Sequence, residues 1–220
     1  MRREVPEEDL RKLYTANDMV KADCGGCKGC HECCTGMGES IVLDPCDIYR
    51  LTNGLKIRAA ELFQNALELN VVDGVILPNL KMQGEEEACI FLNEEGRCSI
   101  HEIRPGICRM FPLGRYYENG KFSYFLQHGE CPMQPKTKVK VSKWMGISEC
   151  KKYEAYITRW HYFLEEIQKR TEKEQDEQFT KEINMYVLNT FFLTDYDFGD
   201  FYPQFESRME KMEKLLKVLK

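Results

Sequence analysis

Five cysteines fall within eleven residues of the stretch DCGGCKGCHECCTG, at Cys24, Cys27, Cys30, Cys33 and Cys34. The first four recur every third residue, and the fifth directly follows the fourth. Gly25, Gly26, Gly29, Gly36 and Gly38 interrupt any regular element there, so the run reads as a loop. The chain holds 11 cysteines in 220 residues, which calls for disulfides or for metal. The opening MRREVPEEDLRKLY is charged from its start and lacks the apolar core of a secretory signal. An odd cysteine count cannot pair completely. Both features lead to the expectation of a cytoplasmic protein whose thiols hold metal instead of forming disulfides.

Two thiolates three residues apart can grip one ion from a tight turn in which backbone N–H groups also point at the sulfurs. That is the reason C-x-x-C recurs in zinc sites and iron–sulfur loops. Here Cys24, Cys27, Cys30 and Cys33 form three overlapping copies, and Cys89, Cys98, Cys108 and Cys131 follow in turn-rich stretches. The total suits two tetrahedral sites, or one cluster plus one ion. Neighbouring residues in extended or turn backbone direct their side chains apart, so Cys33 and Cys34 are expected to serve different metal sites, or one a metal and the other a packing position. Cys24 and His128, the latter three residues before Cys131, are possible extra ligands. His31 and His101 lie among the cysteines and could complete a mixed site. Cys46 and Cys150 fall in expected helices and read as small buried hydrophobes.

Around the loop, Pro6 to about Val20 reads as a helix, with Pro6 in its first turn and an acidic start. LDPCDIYRLTNG reads as a helix capped by Asp44, and IRAAELFQNALEL as a second. Asp73-Gly74 and Asn119-Gly120 each separate two apolar runs and signal two-residue hairpins. ACIFLNEEGRCSI reads as another hairpin. From about Ser142 the segments 143–173, 176–192 and 204–220 carry apolar residues at helical spacing, among them Trp160, Phe163, Leu164 and Ile167. The expected fold is α+β: a small β-hairpin and loop core organised by cysteine-bound metal, with N-terminal helices and a helical C-terminal region. The expected division is a cysteine-cluster domain over 1–140, with its motifs in 24–132, and a helical region over 141–220 packed on it. A net charge of -5 with no long basic run argues against nucleic acid as a partner. No apolar stretch reaches the roughly 20 residues a membrane span needs.

The run Cys27-x-x-Cys30-x-x-Cys33-Cys34 resembles the signature of the CxxCxxCC cysteine-cluster family, proteins described as chelators of zinc or iron. ACIFLNEEGRCSIHEIRPGICRMFP resembles that family's second block, through Cys89, Cys98, His101, Arg104, Pro105, Cys108, Arg109, Phe111 and Pro112. Cys131, in HGECPM, resembles its final cysteine. The resemblance implies a metal-ligand set of Cys27, Cys30, Cys33, Cys34, Cys89, Cys98, Cys108 and Cys131, with Cys24 extra to the pattern. Arg104 and Arg109 are expected as cations beside the thiolate charge. Some members are linked to flagellin lysine N-methylation, which implies S-adenosylmethionine. Against that, no glycine-rich fingerprint opens a Rossmann-like unit, and Met37 stands where a Cys-x3-Cys-x2-Cys run would need its third thiol. The expected cofactor is Zn2+, with iron or an iron–sulfur cluster as the alternative. The expected function is a metal-stabilised interaction or accessory module with an unidentified protein partner. An iron–sulfur redox enzyme or a methyltransferase acting on protein lysine is the alternative.

Overall fold

The computed structural model describes residues 5–25 and 30–218. In chain order its elements are α1 (Glu7–Leu10), β1 (Leu13–Tyr14), β2 (Met19–Asp23), α2 (Pro45–Leu55), α3 (Ala59–Ala66), β3 (Leu67–Val72) and β4 (Val75–Leu80). There follow β5 (Met82–Gln83), β6 (Ala88–Cys89), α4 (Gly106–Met110), β7 (Leu113–Glu118), β8 (Lys121–Leu126) and β9 (Thr137–Lys140). The chain ends in α5 (Val141–Met145), α6 (Cys150–Glu174), α7 (Glu177–Leu188) and α8 (Phe201–Val218). The fold is α+β, with small sheets and with helices towards both ends. No helix among the described residues is long and apolar enough to cross a membrane.

The chain forms two compact units, each assembled from two stretches: Met1–Ile41 with Leu80–Thr158, and Val42–Asn79 with Arg159–Lys220. The first unit carries the cysteine loop. Its largest sheet has the order β1-β8-β7. The β7–β8 hairpin closes at Asn119-Gly120, where both residues have positive φ, 52° and 75°, as a primed two-residue turn requires. Its register runs from Leu113↔Leu126 to Glu118↔Lys121. A separate antiparallel ribbon pairs β2 with β9, from Met19↔Lys140 to Asp23↔Thr137. Tyr14, Val20, Ala22, Met110, Leu113, Tyr124, Val141 and Met145 form the buried core.

The long N-terminal helix read from the sequence is absent. Helix α1 has a single turn, and β1 and β2 occupy the rest of the stretch. The burial pattern of β2 alternates strictly, with Val20 and Ala22 inside, and a period of two overrides the weak helical spacing. Between the strands, Asp18 accepts hydrogen bonds from the backbone N–H and hydroxyl of Thr15, both at 2.7 Å. That carboxylate turn fixes the reversal. The hairpin expected over ACIFLNEEGRCSI reduces to a single bridge, Leu92↔Cys98.

In the second unit, Asp44 and Asp47 cap α2 reciprocally and Pro45 opens it, as its sequence predicts. Asp195 caps α3 from afar: its carboxylate accepts from the Ala59 N–H at 2.7 Å and from Arg58 Nε at 2.9 Å. The β3–β4 hairpin turns at Asp73-Gly74. Trp160, Phe163, Phe191, Phe192 and Phe205 interlock in the core, with ring centroids as close as 4.9 Å.

Candidate metal centre

Three short backbone devices gather the thiols of the first unit. Glu32–Cys34 forms one turn of 3-10 helix, closed by the Cys34 N–H to the His31 carbonyl at 2.7 Å. The Gly36 N–H then reaches the carbonyls of Glu86 and Glu87, each at 3.2 Å, which ties the loop to the turn between β5 and β6. Because β6 ends in Cys89, this places Cys89 beside the loop. Asn93 accepts from the N–H groups of Glu95 and Arg97 at 3.2 and 2.8 Å, so the Asn93–Gly96 turn returns Cys98 against Leu92.

Together these segments surround a cavity of about 100 Å³ lined by Cys30, Cys33, Cys34, Cys89, Cys98 and Cys108. His31, His101, Arg97 and Arg104 share its wall with apolar side chains such as Leu80 and Met82. The sulfurs of Cys33 and Cys34 stand 4.0 Å apart. This reverses the expectation that the adjacent pair diverges. A 3-10 turn sets successive side chains a third of a turn apart, yet both of these border one cavity. Two sulfurs bound to a single zinc at about 2.3 Å stand about 3.8 Å apart at the tetrahedral angle, so the pair fits one edge of such a site. Among the described residues no three Cys, His, Asp or Glu side chains already converge at ligating separation. The thiols line the walls of the cavity without meeting at one point.

The surroundings of these thiols act on them in opposite directions. Burial pushes Cys89 and Cys98 up, and the nearby thiols push the same way. Opposing this, each sulfur accepts a backbone N–H from two residues ahead, Phe91 for Cys89 and Ile100 for Cys98. Met133 does the same for Cys131. Donors aimed at sulfur stabilise the thiolate form, which is the form that ligates metal. Cys33 is drawn below the usual thiol range, chiefly by the hydrogen bond with Cys34 and further by Arg104, whereas Cys34 is pushed up by the same bond. Arg104 also acts on Cys98, and its buried Nε has no hydrogen-bond partner among the described residues. A buried guanidinium N–H without a partner is costly, and an anionic metal–thiolate group beside it would relieve that cost.

The other sequence candidates fall as follows. Cys27 lies outside the described residues. Cys24 and Cys131 line a second, smaller cavity. Arg109 is a brace and not a cation of the cavity wall: its guanidinium donates to the carbonyls of Arg104, at 3.1 Å from Nε, and of Glu102. His128 lines neither cavity. Its backbone N–H donates to the buried Asp9 carboxylate at 3.1 Å, and its Nδ1 lies 2.7 Å from the same oxygen. His31 and His101 both face the large cavity, and His101 Nε2 contacts the Arg104 guanidinium. Cys46 is buried in the other unit, and Cys150 packs at the edge of the first unit's core. Trp144 and Phe111 line both cavities. Trp144 was not singled out by its sequence context, because SKWMG carries no metal-site signature.

Residues 26–132, just under half of the chain, match the family CxxCxxCC, described as "Putative zinc- or iron-chelating domain". No curated protein and no solved structure matches the chain. The matched stretch is thus similar to a metal-chelating domain, and the cavity described above falls within it, with Trp144 contributed from beyond its end.

Proposed function

We propose that Cys33, Cys34, Cys89 and Cys98 of the CxxCxxCC domain hold one zinc ion, and that its role is to staple the loop-rich unit into an interaction or accessory module. The observation that carries this reading is that thiols supplied with N–H donors line one cavity. Cys89 and Cys98 come from separate turns, each with a donor on its sulfur, and they line one cavity with the Cys33–Cys34 pair. The 4.0 Å separation of that pair favours a mononuclear ion over a cubane, whose cysteines bind separate irons and stand farther apart. When bound, the ion supplies the positive charge that keeps buried thiols ionised, and its binding energy adds to folding energy. Arg104 balances the excess thiolate charge, and Arg109 fixes the loop that carries Arg104. The remaining thiols of the family set, Cys27, Cys30, Cys108 and Cys131, supply the capacity for further metal.

The test is purification of the full chain without oxygen, followed by a visible spectrum and assays of metal and acid-labile sulfide. A colourless protein containing zinc and no sulfide is expected. A brown protein with iron and labile sulfide would overturn the zinc reading in favour of a cluster.

A further inference from the structure

In the second unit, the sequence DYDFGD, Asp195 to Asp200, forms the loop that leads into α8. Of the 12 phenylalanines in the chain, Phe198 alone is exposed, at 84%, and the others are buried or half-buried. A single apolar side chain on a surface is ordinary. What sets this one apart is the fixed backbone that presents it and the charge on either side.

Hydrogen bonds pin the loop before and after the ring. The buried Tyr196 donates its hydroxyl to the Phe191 carbonyl at 3.1 Å, and the Arg208 guanidinium lies 3.5 Å from its ring centroid. Arg208 in turn donates to the carbonyls of Thr190, Thr194 and Asp195. The Asp197 N–H donates to Gln204 Oε1 at 2.8 Å, and Gln204 Nε2 donates to the carbonyls of Asp197 and Asp200, each at 3.0 Å. The Tyr49 hydroxyl donates to the Gly199 carbonyl. Asp200 accepts from the Tyr202 N–H at 3.1 Å, at the start of α8. Each loop residue except Phe198 is thus held by at least one of these contacts. A ring on a backbone already ordered binds without the cost of ordering a loop, and buried aromatic anchors carry much of an interface's binding energy.

The flanking charge defines what can receive the ring. Asp195 is matched by Arg58, whereas the exposed Asp197 and Asp200 have no Lys or Arg paired with their carboxylates among the described residues. Those carboxylates repel anionic lipid headgroups and nucleic-acid phosphates and complement Lys or Arg.

We propose that Phe198 anchors a docking surface for another protein, one that offers an apolar pocket rimmed by Lys or Arg. The Phe198 ring fills the pocket, and Asp197 and Asp200 face the basic rim. This surface lies outside the matched stretch 26–132 and is independent of the metal reading.

The experiment places the photo-crosslinker p-benzoylphenylalanine at position 198 of the full chain in its native host, with the exposed Lys181 replaced in the same way as control. Cross-linked residues are mapped by mass spectrometry, and the captured protein is purified and titrated with the chain. The expected result is cross-links to an apolar pocket bordered by Lys or Arg, with affinity about 30-fold lower for Phe198→Ala. Asp197→Lys should also weaken binding, and the wild-type affinity should fall with salt. Phe198→Ala should keep the wild-type urea midpoint, because the ring stands almost wholly in solvent; a lowered midpoint assigns the ring to the fold and overturns the proposal. Cross-linking no stronger than at the control position overturns it, as do cross-links to lipid, nucleic acid or a second copy of this chain. A captured protein that binds Phe198→Ala as tightly as wild type overturns it too.

Discussion

Gly114 in β7 sits opposite Phe125 in β8, and the Phe125 ring lies over the glycine backbone. A Cβ at position 114 would meet three ring carbons at 2.3, 2.5 and 2.9 Å, well inside contact distance. Phe125 is only 4% exposed, so its ring cannot tilt away into solvent. Overpacking of this kind costs about 1–3 kcal/mol. Gly114 has no positive φ, so alanine also recovers about 0.4–1 kcal/mol through the unfolded chain. Gly114→Ala should therefore destabilise the first unit by about 1–2 kcal/mol net. At a urea slope of about 1.5 kcal/mol/M, the midpoint falls by roughly 1 M. The chain has two tryptophans, Trp144 in the first unit and Trp160 in the second. Fluorine-labelled tryptophan therefore reports each unit's unfolding separately by NMR. The Trp144 transition should shift and the Trp160 transition should hold. In a double-mutant cycle with Phe125→Leu, the two changes should couple by about 1 kcal/mol in the compensating direction. An unchanged Trp144 midpoint, or additive effects in the cycle, would refute the steric reasoning.

Other outcomes follow from single contacts. Asn184 is 2% exposed and accepts from the Ile76 N–H at 2.7 Å; Asn184→Leu should cost about 1–3 kcal/mol by orphaning that donor, read from the Trp160 transition. Asp195 is held below its ordinary value first by the Ala59 N–H and further by Arg58. A depressed carboxylate contributes stability above its unfolded pKa of about 3.9, and the contribution is lost as pH falls through the lower folded value. Asp195→Asn should flatten that acid limb of the Trp160 transition, and an unaltered pH profile would count against it. Arg104→Gln removes the cation beside Cys33 and Cys98 and should weaken zinc affinity about 10-fold, measured by competition with a chromophoric chelator.

Much of the local structure was legible where one residue type answers one backbone need. Asp73-Gly74 and Asn119-Gly120 turn at positive φ, and Asp44-Pro45 starts α2. The two cysteine blocks were legible too, because their spacing carries a family signature. What escaped was set by partners far along the chain. β1 and β2 are strands because β8 and β9 pair with them, more than a hundred residues away, and nothing within residues 6–23 announces those partners. The 4.0 Å approach of the Cys33 and Cys34 sulfurs is a side-chain matter that spacing does not encode. Trp144 and Phe111 became walls through tertiary packing, and the Asp195 cap on α3 crosses the second unit. The assembly of each unit from two stretches far apart in the chain is likewise a matter of long-range contacts that hydrophobic periodicity does not carry.

The central claim, an all-thiolate zinc site at Cys33, Cys34, Cys89 and Cys98, is tested most directly by zinc-edge X-ray absorption on the anaerobically purified chain. The account predicts a shell of sulfur at about 2.3 Å around zinc, diminished in Cys89→Ser and unaltered in Cys46→Ser. A shell dominated by oxygen or nitrogen, or one indifferent to Cys89→Ser, would contradict it.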